Sequence, residues 1–267
     1  RLWSAKKVKP KRNRERTEKG NGTMKKISKS AELLWVFGII FVAFGVALCN
    51  KADLGVSMIA APTFVIYEAI SPLFDGFSAG MVEYMIQGLL IIILCIVLRR
   101  FKIKYLLTFA VAVIYGYVLN LFLWLLGSSP FSYVWMRWVM LILGDLLTAF
   151  GVACFFRTYM PLQAHELFVS ELSAGFKLNI NKTKGVFDVA LLVISVLLAI
   201  TLFGDVKSIS LSTLSSASFH SIGLGTLVTT VINSPLIALM GKLLDKIFDP
   251  TPRFPKLKRF ILGKSEN

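Results

Sequence analysis

The chain has 267 residues, of which 55% are hydrophobic and 17% are charged, and its formal net charge is +15. A mean hydropathy of +0.69 excludes an ordinary soluble domain of this length. The positive charge does not indicate a nucleic-acid binder, because the cations lie between and beyond the apolar stretches rather than along a folded face.

Residues 1–31 form a basic tail, which holds twelve lysines and arginines up to Lys29. Its composition predicts a disordered cytoplasmic segment as far as Ser28. Cations next to a membrane helix bind anionic lipid headgroups, so membrane lipids are the expected partners of both basic tails. A specific nucleic-acid partner is not predicted, since the tail has one aromatic residue, Trp3, and no folded reading element.

A bilayer core of about 30 Å requires roughly 20 mostly apolar residues in a helix. The sequence predicts an all-α membrane protein with about six transmembrane helices, in two units of three covering residues 32–127 and 128–245, followed by a second basic tail at 246–267. The six stretches run from Glu32 to Cys49, Gly80 to Leu98, Tyr105 to Leu126, Val134 to Phe156, Gly185 to Phe203 and Ile222 to Gly241.

The distribution of cations predicts the orientation of these spans. Short loops rich in lysine and arginine stay on the cytoplasmic side of a membrane. If the N-terminus is cytoplasmic, 27 of the 30 lysines and arginines lie on that side, and only Lys51, Arg137 and Lys207 lie on the other. We therefore expect both termini in the cytoplasm.

An internal repeat relates the two three-helix units. The run AFGVA occurs at residues 43–47 and again at 149–153, and an acidic residue enters the second span of each unit at Glu83 and Asp188. Because each unit has an odd number of crossings, the second unit is upside down relative to the first, as in an inverted-topology repeat. The small residues in both runs also predict a close helix contact.

Each unit contains a short, semi-apolar segment with a proline, at residues 55–70 and 161–174. Short apolar segments at corresponding places in two halves indicate broken, re-entrant helices at a transporter's central site. The alternative is a helix lying on the membrane surface. The polar residues His165, Glu166 and Glu171 favour the surface interpretation for the second segment, and neither interpretation is excluded.

Polar groups inside the spans are the candidate substrate-binding residues, because a charge at the bilayer centre is costly and is usually offset by a role or a partner. Asp145 lies near the middle of the fourth span, and Glu83 and Asp188 lie about one turn inside opposite faces. Three neutral residues complete the candidate set: Gln87, Asn120 and Asn233. Ties between helices are the alternative role for Asp145 and the three neutral residues, and pairing with headgroups or loop cations is the alternative for Glu83 and Asp188.

Catalytic and metal-binding patterns are missing from the sequence. His165-Glu166 lacks the second histidine of H-E-x-x-H, and no G-x-S-x-G or P-loop occurs. Cys49, Cys95 and Cys154 form no C-x-x-C pair and are expected to be buried, unpaired thiols. We therefore predict neither an enzyme nor a bound cofactor or metal.

Several short runs resemble YczE/YitT-type bacterial integral membrane proteins. These runs are GVAL at 45–48, ADLGVS at 52–57, GLGTL at 223–227 and SPL at 234–236. The resemblance covers residues 32–245, although Ser234 stands where members often have glycine. It implies a multi-pass protein of the bacterial plasma membrane and supplies no substrate.

Two functions fit these features. The first is a small-solute transporter, or the substrate-binding membrane subunit of one, in which inverted halves rock about a central cavity. The second is a non-transporting scaffold or regulator that acts through protein partners or a homo-oligomer.

The predicted orientation is testable with a single cysteine placed at Ser129, in a variant that lacks the three native thiols. A membrane-impermeant maleimide should label this cysteine in intact cells, because the loop from Ser128 to Phe131 is expected outside. A cysteine at Lys177 is the matched control and should react only after the cells are permeabilised. Labelling of Lys177→Cys but not Ser129→Cys in intact cells would reverse the assigned topology.

Overall fold

The computed structural model describes residues 27–127, 129, 131–204, 218–255, 258 and 261. It contains eight helices and two short strands within these ranges. The elements in chain order are β1 Ile27–Ser30, α1 Ala31–Ala52, α2 Ala61–Ile70, α3 Ala79–Leu98, α4 Ile103–Leu126, α5 Val134–Phe155, α6 Ala164–Gly175, α7 Ile180–Phe203, α8 Leu224–Ile247 and β2 Phe248–Thr251.

Six of these helices, α1, α3, α4, α5, α7 and α8, are long and apolar enough to cross a membrane. They confirm the number and order of the predicted spans and are consistent with a multi-pass membrane protein. The largest difference in bounds is at α8, which continues to Ile247, six residues beyond the predicted end at Gly241. This last part of α8 is held by an ion pair between Asp245 and Arg157, which follows α5 (2.9 Å).

The two ends of the described chain meet in a way that the sequence did not predict. β1 pairs with β2 in parallel, with Ile27 opposite Phe248 and Ser30 opposite Thr251. The Glu32 carboxylate accepts hydrogen bonds from the backbone N–H groups of Arg253 and Phe254 (3.0 Å each). β1 therefore begins inside the segment expected to be disordered as far as Ser28, and residues 1–26 of that segment lie outside the described residues.

The contact between α1 and α5 is the most extensive one between helices, and glycines make it close. A Cβ on Gly45 would lie 2.4 Å from the carbonyl oxygen of Gly144, and a Cβ on Gly144 would lie 2.6 Å from the carbonyl oxygen of Gly45. Gly38 and Gly151 approach each other in the same way. The predicted tight contact is confirmed, and the pairing shows that the two helices are antiparallel.

The other helices are arranged around this pair. α1 also packs on α4, which packs on α3, and α5 also packs on α8. The two short helices lie across the units, with α2 against α3 and α7, and α6 against α3, α4 and α7. We call the end of the molecule that carries Lys102, Arg157 and Lys242 the basic end, and the end with Lys51 and Arg137 the opposite end.

The α1–α5 contact gives a stability prediction. Gly45→Ala should lower the thermal unfolding midpoint of the detergent-purified protein, because overpacking against backbone typically costs about 1–3 kcal/mol. Gly185→Ala in α7 is the matched control, since no heavy atom lies within 4 Å of its Cβ position. The control should unfold at the wild-type temperature or above it, because alanine favours helices over glycine by about 1 kcal/mol. Equal midpoints for the two variants would contradict the assigned contact.

Candidate functional site

The start of α6 lies in the interior, at mid-height of α3. The backbone N–H of Ala164, the first residue of α6, donates to Gln87 Oε1 (3.2 Å). Gln87 is the ninth residue of the 20-residue helix α3 and is fully buried. A helix N-terminus has backbone donors without partners in its own helix, and the Gln87 side chain supplies one acceptor here.

The other end of α6 lies at the basic end of the molecule. Glu171 accepts a hydrogen bond from Lys102 Nζ (2.5 Å), immediately before α4, and from Tyr105 Oη (3.0 Å). Lys104 Nζ lies 2.6 Å from the second carboxylate oxygen. The twelve residues of α6 rise about 18 Å at 1.5 Å per residue, so the helix covers roughly half of a membrane.

The connection from α5 to α6 enters from the same end. Tyr159 Oη donates to Glu32 at the start of α1, and Trp35 Nε1 donates to the carbonyl oxygen of Pro161 (3.0 Å). Residues 156–175 therefore go in from the basic end and return to it, as in a re-entrant hairpin. Two of the three polar residues that favoured the surface interpretation, His165 and Glu166, are 2% and 5% exposed and lie inside the helical body, whereas Glu171 lies at the basic end.

The short helix α2 also starts in the interior, but it runs toward the opposite end of the molecule. Thr63 in its first turn donates to Glu83 Oε2 (2.5 Å), inside the helical body. Near its last turn, Glu68 hydrogen-bonds to Ser221 and to His220 Nδ1 (3.0 Å), just before α8 at the opposite end. The preceding turn requires Gly55, which has φ +103° and leaves no room for a Cβ against Thr226.

A chain of hydrogen bonds joins the starts of the two short helices. Thr63 donates to one oxygen of Glu83, Gln87 Nε2 donates to the other (2.8 Å), and Gln87 Oε1 accepts from Ala164. Glu83 is 4% exposed, and Thr63 and Gln87 are fully buried. Because helix N-termini carry partial positive charge, the starts of α2 and α6 contribute a positive potential to this network. We call Thr63, Glu83, Gln87 and Ala164 the central network.

A second polar group lies on α6 and α7. Lys184 Nζ is 3.3 Å from both carboxylate oxygens of Asp188, one turn later in α7. Glu166 on α6 interacts electrostatically with Lys184, Asp188 and Glu83. Asp188 is 2% exposed, and Glu166 links this group electrostatically to the central network, so we call the two together the buried polar region.

Of the six predicted site residues, the structure therefore brings Glu83, Gln87 and Asp188 into one region. Asn120 has a different position. Its side chain accepts from the backbone N–H of Gly80 and donates to Ser78 Oγ (2.8 Å each), so it ties α4 to the start of α3.

Asp145 and Asn233 lie at the α5–α8 interface instead. Leu141 packs at Gly225 and Arg157 at Gly241, the same spacing of 84 positions, so α5 and α8 run side by side in parallel. Asp145 is one turn after Leu141 on the same face. Asp145 Oδ1 and Asn233 Oδ1 are buried and have no hydrogen-bond partner within the described ranges. No hydrogen bond of the described residues joins either side chain to the central network.

A polar pocket of ≈ 250 Å³ opens between α1, α2 and the turn before α8, at the opposite end. Its polar lining includes Lys51, Asp53 and Glu68. Asp53 is held by Arg137 Nη1 (3.3 Å) and Ser218 Oγ (2.6 Å). The pocket lies beyond the C-terminal end of α2, on the same side of the molecule from which the 53–70 segment enters.

The sequence did not identify Thr63, and His165 and Glu166 were considered as an incomplete metal motif and as evidence for a surface helix, not as site residues. The available signal was the short proline-containing segment in each unit, since the polar residues that follow each proline by one to five positions reach the interior. Among the described residues, no group of three or more His, Cys, Asp or Glu side chains is arranged to hold a metal ion. The three cysteines are free, and Cys49 and Cys154 are buried.

The Glu171 cluster gives a pH-dependent prediction. Burial acts to raise the pKa of Glu171, but the hydrogen bonds and charges of Lys102 and Lys104 outweigh it and hold that pKa below its ordinary value of 4.5. A depressed pKa contributes stability that is present above the unfolded-state value and is lost as the pH falls through the folded-state value.

Glu171→Gln should therefore lower the thermal unfolding midpoint at neutral pH, and its difference from wild type should shrink as the pH falls below about 4.5. Asp245→Asn is the control, because this carboxylate is 62% exposed and an exposed ion pair contributes only about 0–1 kcal/mol. A difference for Glu171→Gln that stays constant from neutral pH to pH 3 would contradict the assignment.

Comparison with known proteins places the chain in a family without assigning a function. No curated protein and no solved structure matches it significantly. Residues 29–242, about four-fifths of the chain, match a family of unknown function (DUF6198). The matched range covers all six long helices and both short ones except the last turns of α8, so the chain belongs to this family.

Proposed function

We propose that this protein is a small-solute carrier, or the substrate-binding membrane subunit of one, with its site between the starts of α2 and α6. The observation that carries the proposal is the central network, which ends on the backbone N–H of Ala164 at mid-height of α3. Helix ends at such a depth are tolerated in a membrane only where protein buries them or where they line a cavity. Carriers use them to present backbone groups to a solute.

An inverted-topology repeat accounts for the packing of the two units. α2 of the first unit lies on α7 of the second, and α6 of the second lies on α3 of the first. The side-chain contacts of the short helices are also reciprocal. Glu68 of α2 binds the segment before α8, and Glu171 of α6 binds the segment before α4. Each re-entrant hairpin is thereby attached to the other unit at the end from which it enters.

Reciprocal attachment supports alternating access. If the units rock about the α1–α5 contact, the Glu171 cluster opens when the basic end opens, and the Glu68 contacts open when the opposite end opens. The solute would reach Glu83 from either side of the membrane. We assign the buried polar groups to solute binding rather than to catalysis. Energy would come from an ion gradient or from a partner subunit.

The membrane and orientation belong to the same proposal. The cation distribution supports cytoplasmic N- and C-termini, and the strands nearest to them, β1 and β2, pair with each other next to the start of α1 and the end of α8. The resemblance to YczE/YitT-type proteins supports the bacterial plasma membrane. Anionic headgroups at this end are the proposed lipid partners of the tails.

The proposal is tested by native mass spectrometry of the detergent-purified protein. Wild type should carry a small molecule in stoichiometric amount, and Glu83→Gln should lose it, because the substitution removes the charge that the two helix starts face. Asp245→Asn is the matched control and should retain the molecule, since it removes an exposed carboxylate far from Glu83.

A different result would contradict the carrier proposal. If all three proteins carry lipid alone and a protein partner remains bound to each, the carrier proposal fails and the scaffold function replaces it. Circular dichroism of Glu83→Gln establishes that any loss of the molecule does not come from unfolding.

A further inference from the structure

Three carboxylates and one ammonium group share the buried polar region. Glu83 belongs to α3, Glu166 to α6, and Asp188 and Lys184 to α7. Each carboxylate residue is at most 5% exposed, and Lys184 is the cation that acts on Glu166 electrostatically. A buried charge is tolerated when it is paired and hydrogen-bonded, so the three carboxylates must be compared by their partners.

Two of the three have the partners of an ionised carboxylate. Both oxygens of Glu83 accept hydrogen bonds, from Thr63 and Gln87, and two helix starts face it. Both oxygens of Asp188 lie 3.3 Å from the ammonium of Lys184. The ammonium group of Lys184 is therefore paired with Asp188.

Glu166 has fewer such partners, although it lies in the first turn of α6 and the charge of Lys184 acts on it. Its Oε2 is buried and has no hydrogen-bond partner among the described residues, and neither has Nε2 of the adjacent His165. The negative charges of Asp188 and Glu83 both oppose ionisation of Glu166, and burial opposes it more strongly still. A carboxyl group in these surroundings is stable only in its neutral form.

The other elements around Glu166 do not supply a second positive charge. α4 contributes the phenol of Tyr115, which interacts electrostatically with Glu166 and Glu83. α2 contributes the neutral hydroxyl of Thr63 to the same region. The imidazole of His165 is buried next to Lys184, which disfavours its cationic form. One bound proton on Glu166 leaves two carboxylates facing one ammonium group and two positive helix ends.

We propose that Glu166 carries a proton at neutral pH and exchanges it with water during the transport cycle, so that the carrier is coupled to a proton gradient. The O–H bond of the Glu166 carboxyl breaks when one side opens to water, and the proton leaves as hydronium. The remaining carboxylate then competes with Asp188 for Lys184 until a proton from the other side restores the O–H bond. The coupling step depends on the carrier function proposed above, whereas the bound proton does not.

Infrared spectroscopy of the purified protein tests the bound proton directly. At neutral pH, wild type should show the carbonyl stretch of a protonated carboxyl group, and this band should shift to lower frequency in D₂O if the proton exchanges. Glu166→Gln should lower the intensity of the band by one carboxyl group, and Asp145→Asn measures the contribution of the other buried carboxyl with an unpartnered oxygen. Glu171→Gln, on the same helix as Glu166, should keep the full band, because Glu171 is paired with two lysines and is already ionised.

A second variant keeps the test decisive if Glu166→Gln does not fold. Lys184→Gln removes the ammonium group that favours ionised Asp188 and Glu166, so the band should gain intensity and persist to higher pH than in wild type. The proposal is overturned if wild type has no such band at neutral pH. It is also overturned if the band does not shift in D₂O, if folded Glu166→Gln retains its full intensity, or if Lys184→Gln leaves it unchanged.

The outcomes separate this inference from the carrier proposal. If Glu166→Gln loses its part of the band and no solute copurifies, the proton site is supported but its assignment to transport is withdrawn. A copurified solute in a protein without the band supports the carrier and excludes Glu166 as its proton-binding group.

Discussion

The rest of this structure depends on one constraint, namely that a backbone N–H in the interior of a membrane must have an acceptor, because no bulk water is present there. The start of α6 meets it with the side chain of Gln87, held in turn by Glu83. Without that acceptor, the chain after Pro161 would have a lower free energy at the membrane surface, where water hydrogen-bonds to the backbone. A glutamine on α3 therefore determines that the second short segment goes inward.

The α1–α5 contact and the central network have complementary roles. The glycines of α1 and α5 bring two backbones into direct contact, which joins the two units by close packing. The central network, in contrast, consists of a few side-chain hydrogen bonds between helices of different units. Rigid packing at one place and exchangeable polar contacts at another are what a protein needs to move as two bodies without unfolding.

The six spans were predictable because twenty apolar residues bounded by charge have few alternatives, and the repeated AFGVA run made the α1–α5 contact predictable too. The depth of α6 was not, since it depends on Gln87, 77 positions earlier in the chain, and composition alone suggested a surface helix. Glu83, Gln87 and Asp188 were recognised as polar groups inside spans. Which of them meet, and that Asp145 faces α8 instead, depends on helix rotation and register, which hydropathy does not encode. The strands β1 and β2 are too short and too polar to have a recognisable pattern.

The pairing of β1 with β2 also bears on how the protein is made. The strands are separated by more than 200 residues, so the ribosome must translate every span before the second strand exists. Until then α1 is held by its own hydrophobicity, by its packing on α4 and α5, and by the hydrogen bonds of Glu32 and Trp35 to the connection between α5 and α6. Closure of this strand pair is therefore a signature of completed biogenesis, and a chain that stalls within α8 would lack it.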